Sequence, residues 1–216
     1  MPDTLHVAEI FRSIQGESTW AGLPCVFVRL AGCPLRCRWC DTVWAREGGV
    51  LMSIDEIIMQ VTALGGDLVE ITGGEPLWQE AAPALAKALI DIGLTVLCET
   101  SGAFRIDRLP AGTIRIMDVK CPGSGESDRM DWLNLERLDK QDEVKFVIAD
   151  RADFTWSADI IRRYNLSERC GAIMLSPVTA QLNPRDLARW ILEEKLRVRI
   201  QLQLHKMIWP DGKEGL

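Results

Sequence analysis

Residues 53–76 read SIDEIIMQVTALGGDLVEITGGEP. The first twelve carry apolar side chains at helical spacing, and Ser53 and Glu56 stand at the spacing of a capping box. After Gly65 and Gly66, DLVEIT (67–72) is a short apolar run rich in β-branched residues, which predicts a strand ending at the loop GGEP. Helix, strand, then a glycine loop is half of a βαβ unit, and the pattern repeats on both sides. CVFVRL (25–30) predicts a strand, QEAAPALAKALIDIG (79–93) a helix closing at Gly93, and LTVLCET (94–100) and TIRIMDV (113–119) two strands. EVKFVIAD (143–150) predicts a strand followed by a helix to about Tyr164, and AIMLSP (172–177) another strand. NPRDLARWILEEK (183–195) predicts a helix with Asn183 as cap and Pro184 at its first position, and RVRIQLQLHK (197–206) a last strand.

Such alternation predicts an α/β fold: a mostly parallel sheet with helices packed outside it. About six core strands fit a partial, TIM-like barrel better than a closed one of eight strands. The chain shows no repeat, low-complexity segment or linker, so residues 1–216 are read as a single domain. Four chemically suggestive loops follow strands: the cysteine loop (31–42), TGGEP, DVKCPGSGE and SPVT. In parallel α/β folds, loops at the carboxyl ends of strands build the active site.

Composition narrows the function. Of 216 residues, 47% are apolar and 26% charged, as in ordinary globular proteins. A formal net charge of −6 argues against a broad nucleic-acid surface. The start, MPDTLHVAEIF, lacks a basic region followed by an apolar run, and no uncharged apolar stretch approaches the ~20 residues of a membrane helix. Seven cysteines at irregular spacing predict reduced thiols or metal ligands in the cytoplasm, not a disulfide framework.

Three of those cysteines, Cys33, Cys37 and Cys40, fall within GCPLRCRWCDT (32–42). Thiolates bind zinc or iron–sulfur clusters, and a structural zinc site wants four ligands. The other candidates, Cys25, Cys98, Cys121, Cys170, His6 and His205, stand at no paired spacing to the trio. A 4Fe–4S cluster on three cysteines would leave one iron free for a small molecule. Spacing alone leaves zinc, a cluster, or neither open.

Cys-x3-Cys-x2-Cys with Trp39 before the last cysteine, followed by Gly73, Gly74 and Glu75 after the next strand, resembles the radical S-adenosylmethionine superfamily. The resemblance implies that Cys33, Cys37 and Cys40 hold a 4Fe–4S cluster whose open iron is chelated by the methionyl group of S-adenosylmethionine. An electron then cleaves the sulfonium to a 5′-deoxyadenosyl radical. Gly73, Gly74 and Glu75 would hold the methionyl amine. Alone, TGGEP would be an ordinary strand–helix turn.

SIQGES (13–18), VFVRLAGC (26–33), CDT (40–42), ITGGEP (71–76), DVKCPGSGE (118–126) and QLHKMIWP (203–210) together resemble the 7-carboxy-7-deazaguanine synthase family over almost the whole chain. That resemblance implies contraction of 6-carboxy-5,6,7,8-tetrahydropterin with release of ammonia, on the route to queuosine and other 7-deazapurines. It also implies Mg²⁺, a homodimer and a reducing electron donor such as flavodoxin or ferredoxin. Ile14, Gln15, Gly16, Arg29, Thr72 and Pro210 would meet the substrate, with Glu17 and His205 in catalytic roles. Thr42 would ligate Mg²⁺, and its hard hydroxyl oxygen suits that ion. Trp39, Cys40, Asp41, Gly74, Glu75, Asp118, Val119, Lys120, Ser176, Pro177, Val178 and Thr179 would border S-adenosylmethionine. Read without the resemblance, SIQGES is a polar turn, Arg29 a salt-bridged surface residue, Thr42 a cap and His205 a packed histidine. Two departures from the family stand out: Ser18, where glycine is frequent, and a chain that runs past Pro210 as DGKEGL. The competing enzyme reading is an activase of a glycyl-radical enzyme, and the competing non-enzymatic one a metal-bearing binding module.

Overall fold

The computed structural model describes residues 3–209. Nine strands form one sheet: β1 (Thr4–Ile14), β2 (Pro24–Leu30), β3 (Val50–Ser53), β4 (Leu68–Gly73), β5 (Thr95–Thr100), β6 (Thr113–Val119), β7 (Glu143–Ile148), β8 (Ala172–Pro177) and β9 (Arg199–Ile200). Their order is β3-β1-β2-β4-β5-β6-β7-β8-β9. From β2 to β9 every pairing is parallel, while β1 lies antiparallel to both β2 and β3. The order has two ends, so the barrel is partial, as expected.

Helices α1 (Ile54–Leu64), α2 (Ala82–Asp91), α3 (Asn134–Arg137), α4 (Arg151–Arg163), α5 (Leu166–Arg169), α6 (Pro184–Glu194) and α7 (Leu204–Ile208) complete the described residues. Local chemistry starts them. Ser53 and Glu56 form both halves of the capping box on α1, Asp150 caps α4, and Asn183 caps α6 with Pro184 in its first turn. None of these helices is long and apolar enough to cross a membrane.

Successive residues of a strand point to opposite faces, and here each face has a different fate. Val69, Ile71, Val96, Cys98, Met117, Val119, Val144, Phe146, Ile173 and Leu175 join the main core with residues of α1, α2, α4 and α6. Full burial of each large aliphatic side chain is worth roughly 1.5–3 kcal/mol. The alternate residues turn inward. At one end of the lumen, Cys25, Phe27, Leu68, Leu97, Ile116 and Met174 form a second apolar cluster, against which Phe11, Trp20 and Ile114 pack. Phe11 stacks on Phe27 with ring centroids 5.0 Å apart.

Two segments differ from the sequence expectation. Residues 4–14 form an eleven-residue strand where no strand was expected. Its alternation is broken by an irregularity between Val7 and Glu9, and half-buried polar residues dilute the apolar signal. The last strand, expected over 197–206, shrinks to Arg199–Ile200, both exposed, and gives way to α7. No further strand pairs with β9 among the described residues, so the main chain leaves the sheet: Gln201 N still bonds Leu175 O (2.9 Å), but Leu204 N bonds Gly16 O (3.0 Å) instead.

The capping box gives a direct check. Ser53→Ala removes the hydroxyl that accepts from Glu56 N and should lower stability by about 1 kcal/mol, read from the midpoint of chemical denaturation.

Candidate functional site

The carboxyl ends of the strands and the inward-facing strand residues enclose a cleft of about 860 Å³. All three cysteines of the loop line it, whereas Cys25, Cys98, Cys121 and Cys170 are buried elsewhere. Burial raises the pKa of the Cys33 and Cys37 thiols. The loop is shaped by main-chain bonds. Arg36 Nη1 donates to Cys33 O (2.7 Å), Arg46 Nη2 to Cys37 O (3.2 Å), and Gly32 N to Ala45 O (2.9 Å). Among the described residues no three Cys, His, Asp or Glu side chains converge on a point where one ion would be held. A 4Fe–4S cluster takes its protein thiolates on separate irons, and the three thiols that line the cleft are such a donor set. The donor set fits the cluster.

The end of β4 is pressed against this loop. Gly74 N bonds Leu30 O (3.0 Å) and Glu75 N bonds Gly32 O (2.9 Å). Gly73 has φ +132°, and a Cβ on either glycine would collide with main chain of Leu30 or Gly32. Both glycines line the cleft. Glu75 does not, and here the expectation is corrected. It is 0% exposed, and its carboxylate accepts from Leu77 N (2.9 Å), Thr100 Oγ1 (2.7 Å), Ser101 N (2.7 Å) and Ser101 Oγ. Its side chain turns back to cap the 3-10 turn Pro76–Trp78 and ties the end of β4 to that of β5.

Most other expected residues do converge. Ile14, Gln15, Gly16 and Glu17 line one side of the cleft, with Arg29 and Thr72 among the wall residues. Trp39, Cys40, Asp41 and Thr42 follow from the cysteine loop, and Asp118, Lys120, Pro177, Val178 and Thr179 from the ends of β6 and β8. Val119 and Ser176 are buried and do not line it. Val119 falls on the helix-facing side of β6, with its side chain in the main core. Pro210 lies outside the described residues.

Several partners were not foreseen. Arg29 Nε donates to Glu9 Oε1 (2.7 Å), and the guanidinium lies between Phe11 and Trp44 at 5.8 and 5.7 Å from their centroids. Both ends of the Gln15 amide are engaged: Nε2 donates to Glu70 and Oε1 accepts from Glu17 N (2.9 Å). Lys145 Nζ lies 2.8 Å from Glu17 Oε2, bonds Glu99, and stands 3.7 Å from Asp118 Oδ2. Gln203 Nε2 donates to Glu17 Oε1 (2.8 Å), Lys206 Nζ lies 3.1 Å from Asp41 Oδ2, and Lys120 Nζ donates to Asp118 Oδ2 (2.8 Å). Asp118 Oδ1 is buried with no hydrogen-bond partner, so it awaits a donor.

His205 stands in α7, not at a strand end, and its ring occupies the space a Cβ on Gly16 would need. Burial lowers its pKa against the opposing pull of Glu17, so the imidazole is neutral at neutral pH. Burial likewise raises the pKa of Glu70, with the Glu99 and Glu17 charges adding to it. The sequence did carry a signal for Glu70 and Glu99, each a lone charge inside a strand otherwise without charges, and for Lys145, which shares its strand with only one other charge, Glu143.

Residues 28–116 match the model of the radical SAM superfamily. A 7-carboxy-7-deazaguanine synthase of Koribacter versatilis is 43% identical, with 98% of this chain and 100% of that protein covered. One from Chlorobaculum tepidum is 46% identical, covering 97% of this chain and 96% of that one. The crystal structure of QueE from Escherichia coli matches with a TM-score of 0.75 at 23% identity, over 92% of this chain and 94% of that chain, which shows the shared fold.

Glu75→Gln should leave an amide facing the N–H donors it now accepts from. The expected loss is about 1–3 kcal/mol by denaturation, with poorer cluster retention after anaerobic reconstitution.

Proposed function

Because the chain belongs to the 7-carboxy-7-deazaguanine synthase family of radical S-adenosylmethionine enzymes, we propose that it contracts 6-carboxy-5,6,7,8-tetrahydropterin to 7-carboxy-7-deazaguanine and releases ammonia, in the biosynthesis of queuosine or other 7-deazapurines. The observation that carries this reading is the meeting, in one cleft, of three cysteine thiols with a floor of carboxylates, an amide and an ammonium group. The relatives that span the chain bear the synthase name, which favours this reading over an activase.

When bound on Cys33, Cys37 and Cys40, a 4Fe–4S cluster with S-adenosylmethionine supplies the 5′-deoxyadenosyl radical that abstracts a substrate hydrogen. The chain's own residues bind and orient. Main chain at Gly73 and Gly74 receives the methionyl amine, since no side chain stands between it and the cysteine loop. Asp118 Oδ1 accepts a ribose hydroxyl, the donor it lacks. Lys120, bonded to Asp118 on one side, offers its other N–H groups to the methionyl carboxylate. Trp39, Cys40 and Asp41 on one flank, with Pro177, Val178 and Thr179 on the other, enclose the nucleoside, and Val119 and Ser176 support that wall from behind.

On the substrate side, Arg29 meets the carboxylate with the guanidinium edge that Glu9 leaves free. Main chain of Ile14 and Gly16, the Thr72 hydroxyl and Glu17 hold the pterin, and the Gln15 side chain braces their loop. The neutral His205 ring, set against Gly16, accepts or returns a proton as the ring rearranges. Thr42 Oγ1, whose nearest partner is Cys40 Sγ at 3.8 Å, is free to bind Mg²⁺ beside the substrate carboxylate. We read the chain as one cytoplasmic domain that works as a homodimer with flavodoxin or ferredoxin as reductant.

Anaerobically reconstituted protein, given S-adenosylmethionine, a reductant and the carboxypterin, should yield the deazaguanine acid and ammonia. A healthy cluster without that product would return the activase to first place. Cys33→Ala, Cys37→Ala and Cys40→Ala should each abolish 5′-deoxyadenosine formation, whereas Cys121→Ala should not. Thr42→Ala should keep the cluster absorbance but weaken the dependence of turnover on Mg²⁺. An unchanged magnesium titration would remove Thr42 from that role.

A further inference from the structure

Lys145 is the inward-facing residue at the centre of β7, next to Asp118 of β6 in register. Its side chain is 5% exposed, and the lumen on one side of it is closed by Phe27, Leu97, Ile116 and Met174. A Met or Leu here would simply extend that apolar layer. An ammonium group in such a place is costly unless it is paired. It is paired three times, and by residues from separate parts of the chain: Glu17 from the loop after β1, Glu99 from β5 and Asp118 from β6. Lys120 takes the other claim on Asp118, which leaves Glu17 and Glu99 as the main partners of Lys145.

We propose that Lys145 is a positioning residue for the substrate: its ammonium group holds the Glu17 and Glu99 carboxylates side by side at the floor of the cleft, where both accept the N–H groups of the pterin's donor-rich edge. This rests on the function proposed above. The remaining bonds of the two carboxylates fit the role. Glu17 Oε1 is steadied by Gln203 (2.8 Å) and Glu99 Oε2 by the Thr72 hydroxyl (3.4 Å), so each carboxylate is fixed at both oxygens yet keeps lone pairs free. Glu70 is engaged elsewhere, accepting from the Gln15 amide.

The same partners set the charge on Lys145. Burial draws its pKa down, but the Glu17, Glu99 and Asp118 charges outweigh burial and hold it well above the usual lysine value. Burial also works to raise the Glu17 pKa, and the Lys145 charge and hydrogen bond, together with the Gln203 bond, more than reverse it, with Asp41 opposing. His205 on α7 also faces Glu17 and is neutral, and Asp41 is itself paired with Lys206. Lys145 is therefore the charge that keeps Glu17 ionised.

The test compares wild type, Lys145→Met and Lys145→Arg. Calorimetric binding of 7-carboxy-7-deazaguanine to each reconstituted protein, without S-adenosylmethionine, reads the floor apart from turnover. Lys145→Met should bind ~10²-fold more weakly, the scale of a misplaced contact set. The acid limb of its kcat/KM profile should move to higher pH by about 1 unit, because Glu17 loses the charge that lowers its pKa. Lys145→Arg keeps the charge and should leave that limb in place. Wild-type affinity with an unmoved limb in Lys145→Met overturns the proposal, and so does a shifted limb in Lys145→Arg, which remains readable should the Met variant fail to fold. A wild-type protein that does not bind the deazaguanine at all overturns the function reading itself, a result distinct from unchanged binding in the variant.

Discussion

A strand buried on both faces has one apolar face to give to the helices, and whatever it carries on the other must make its peace inside the lumen. This constraint organises the molecule. Along β4 to β8 most helix-facing positions are apolar, with Thr100, Thr113 and Arg115 the exceptions. In β4, β5 and β6 the inward positions split along the strand axis, apolar toward one end and polar or charged toward the carboxyl end, whereas β7 carries Glu143 at its start. Burying Glu70, Glu99, Asp118 and Lys145 without partners would cost several kcal/mol per charge, so they are bonded to one another or to the loops that close over them. The pocket and the stability of the strand ends are therefore one arrangement.

The same constraint explains the grip of the cysteine loop. Its thiols are set by main-chain bonds, and the strand that abuts it carries glycine at the two positions where a side chain would strike the loop. Glu75 completes the junction from behind with a saturated carboxylate. A motif that reads as a cofactor contact is thus divided between two jobs: Gly73 and Gly74 leave room, and Glu75 holds the two strand ends at the distance that makes the room useful.

Much of this was legible in the residues. The capping box at Ser53, the Asn183 cap with Pro184, and the short apolar strands before each suspicious loop are local signals, and local hydrogen bonding decides them. What was not legible depends on distant contacts. Strand β1 exists because β2 and β3 flank it, a fact that a bulged and half-polar eleven residues do not announce. The expected final strand fails because no described strand pairs with its far edge. Glu75 and Gln15 carry the residue types of ligand contacts, and only the structure shows that their polar atoms are already engaged.

An open barrel leaves a gap between its first and last strands, and the chain fills it with segments that also touch the site. Leu204 N bonds Gly16 O, Gln203 bonds Glu17, and Lys206 pairs with Asp41 beside the cysteine loop. These contacts place α7 against both the loop after β1 and the loop after β2, so one short helix senses both halves of the cleft. Exposed ion pairs such as Lys206–Asp41 contribute little to stability, on the order of 0–1 kcal/mol. The main-chain bond and the packing of His205 into the space left by Gly16 hold more of the join.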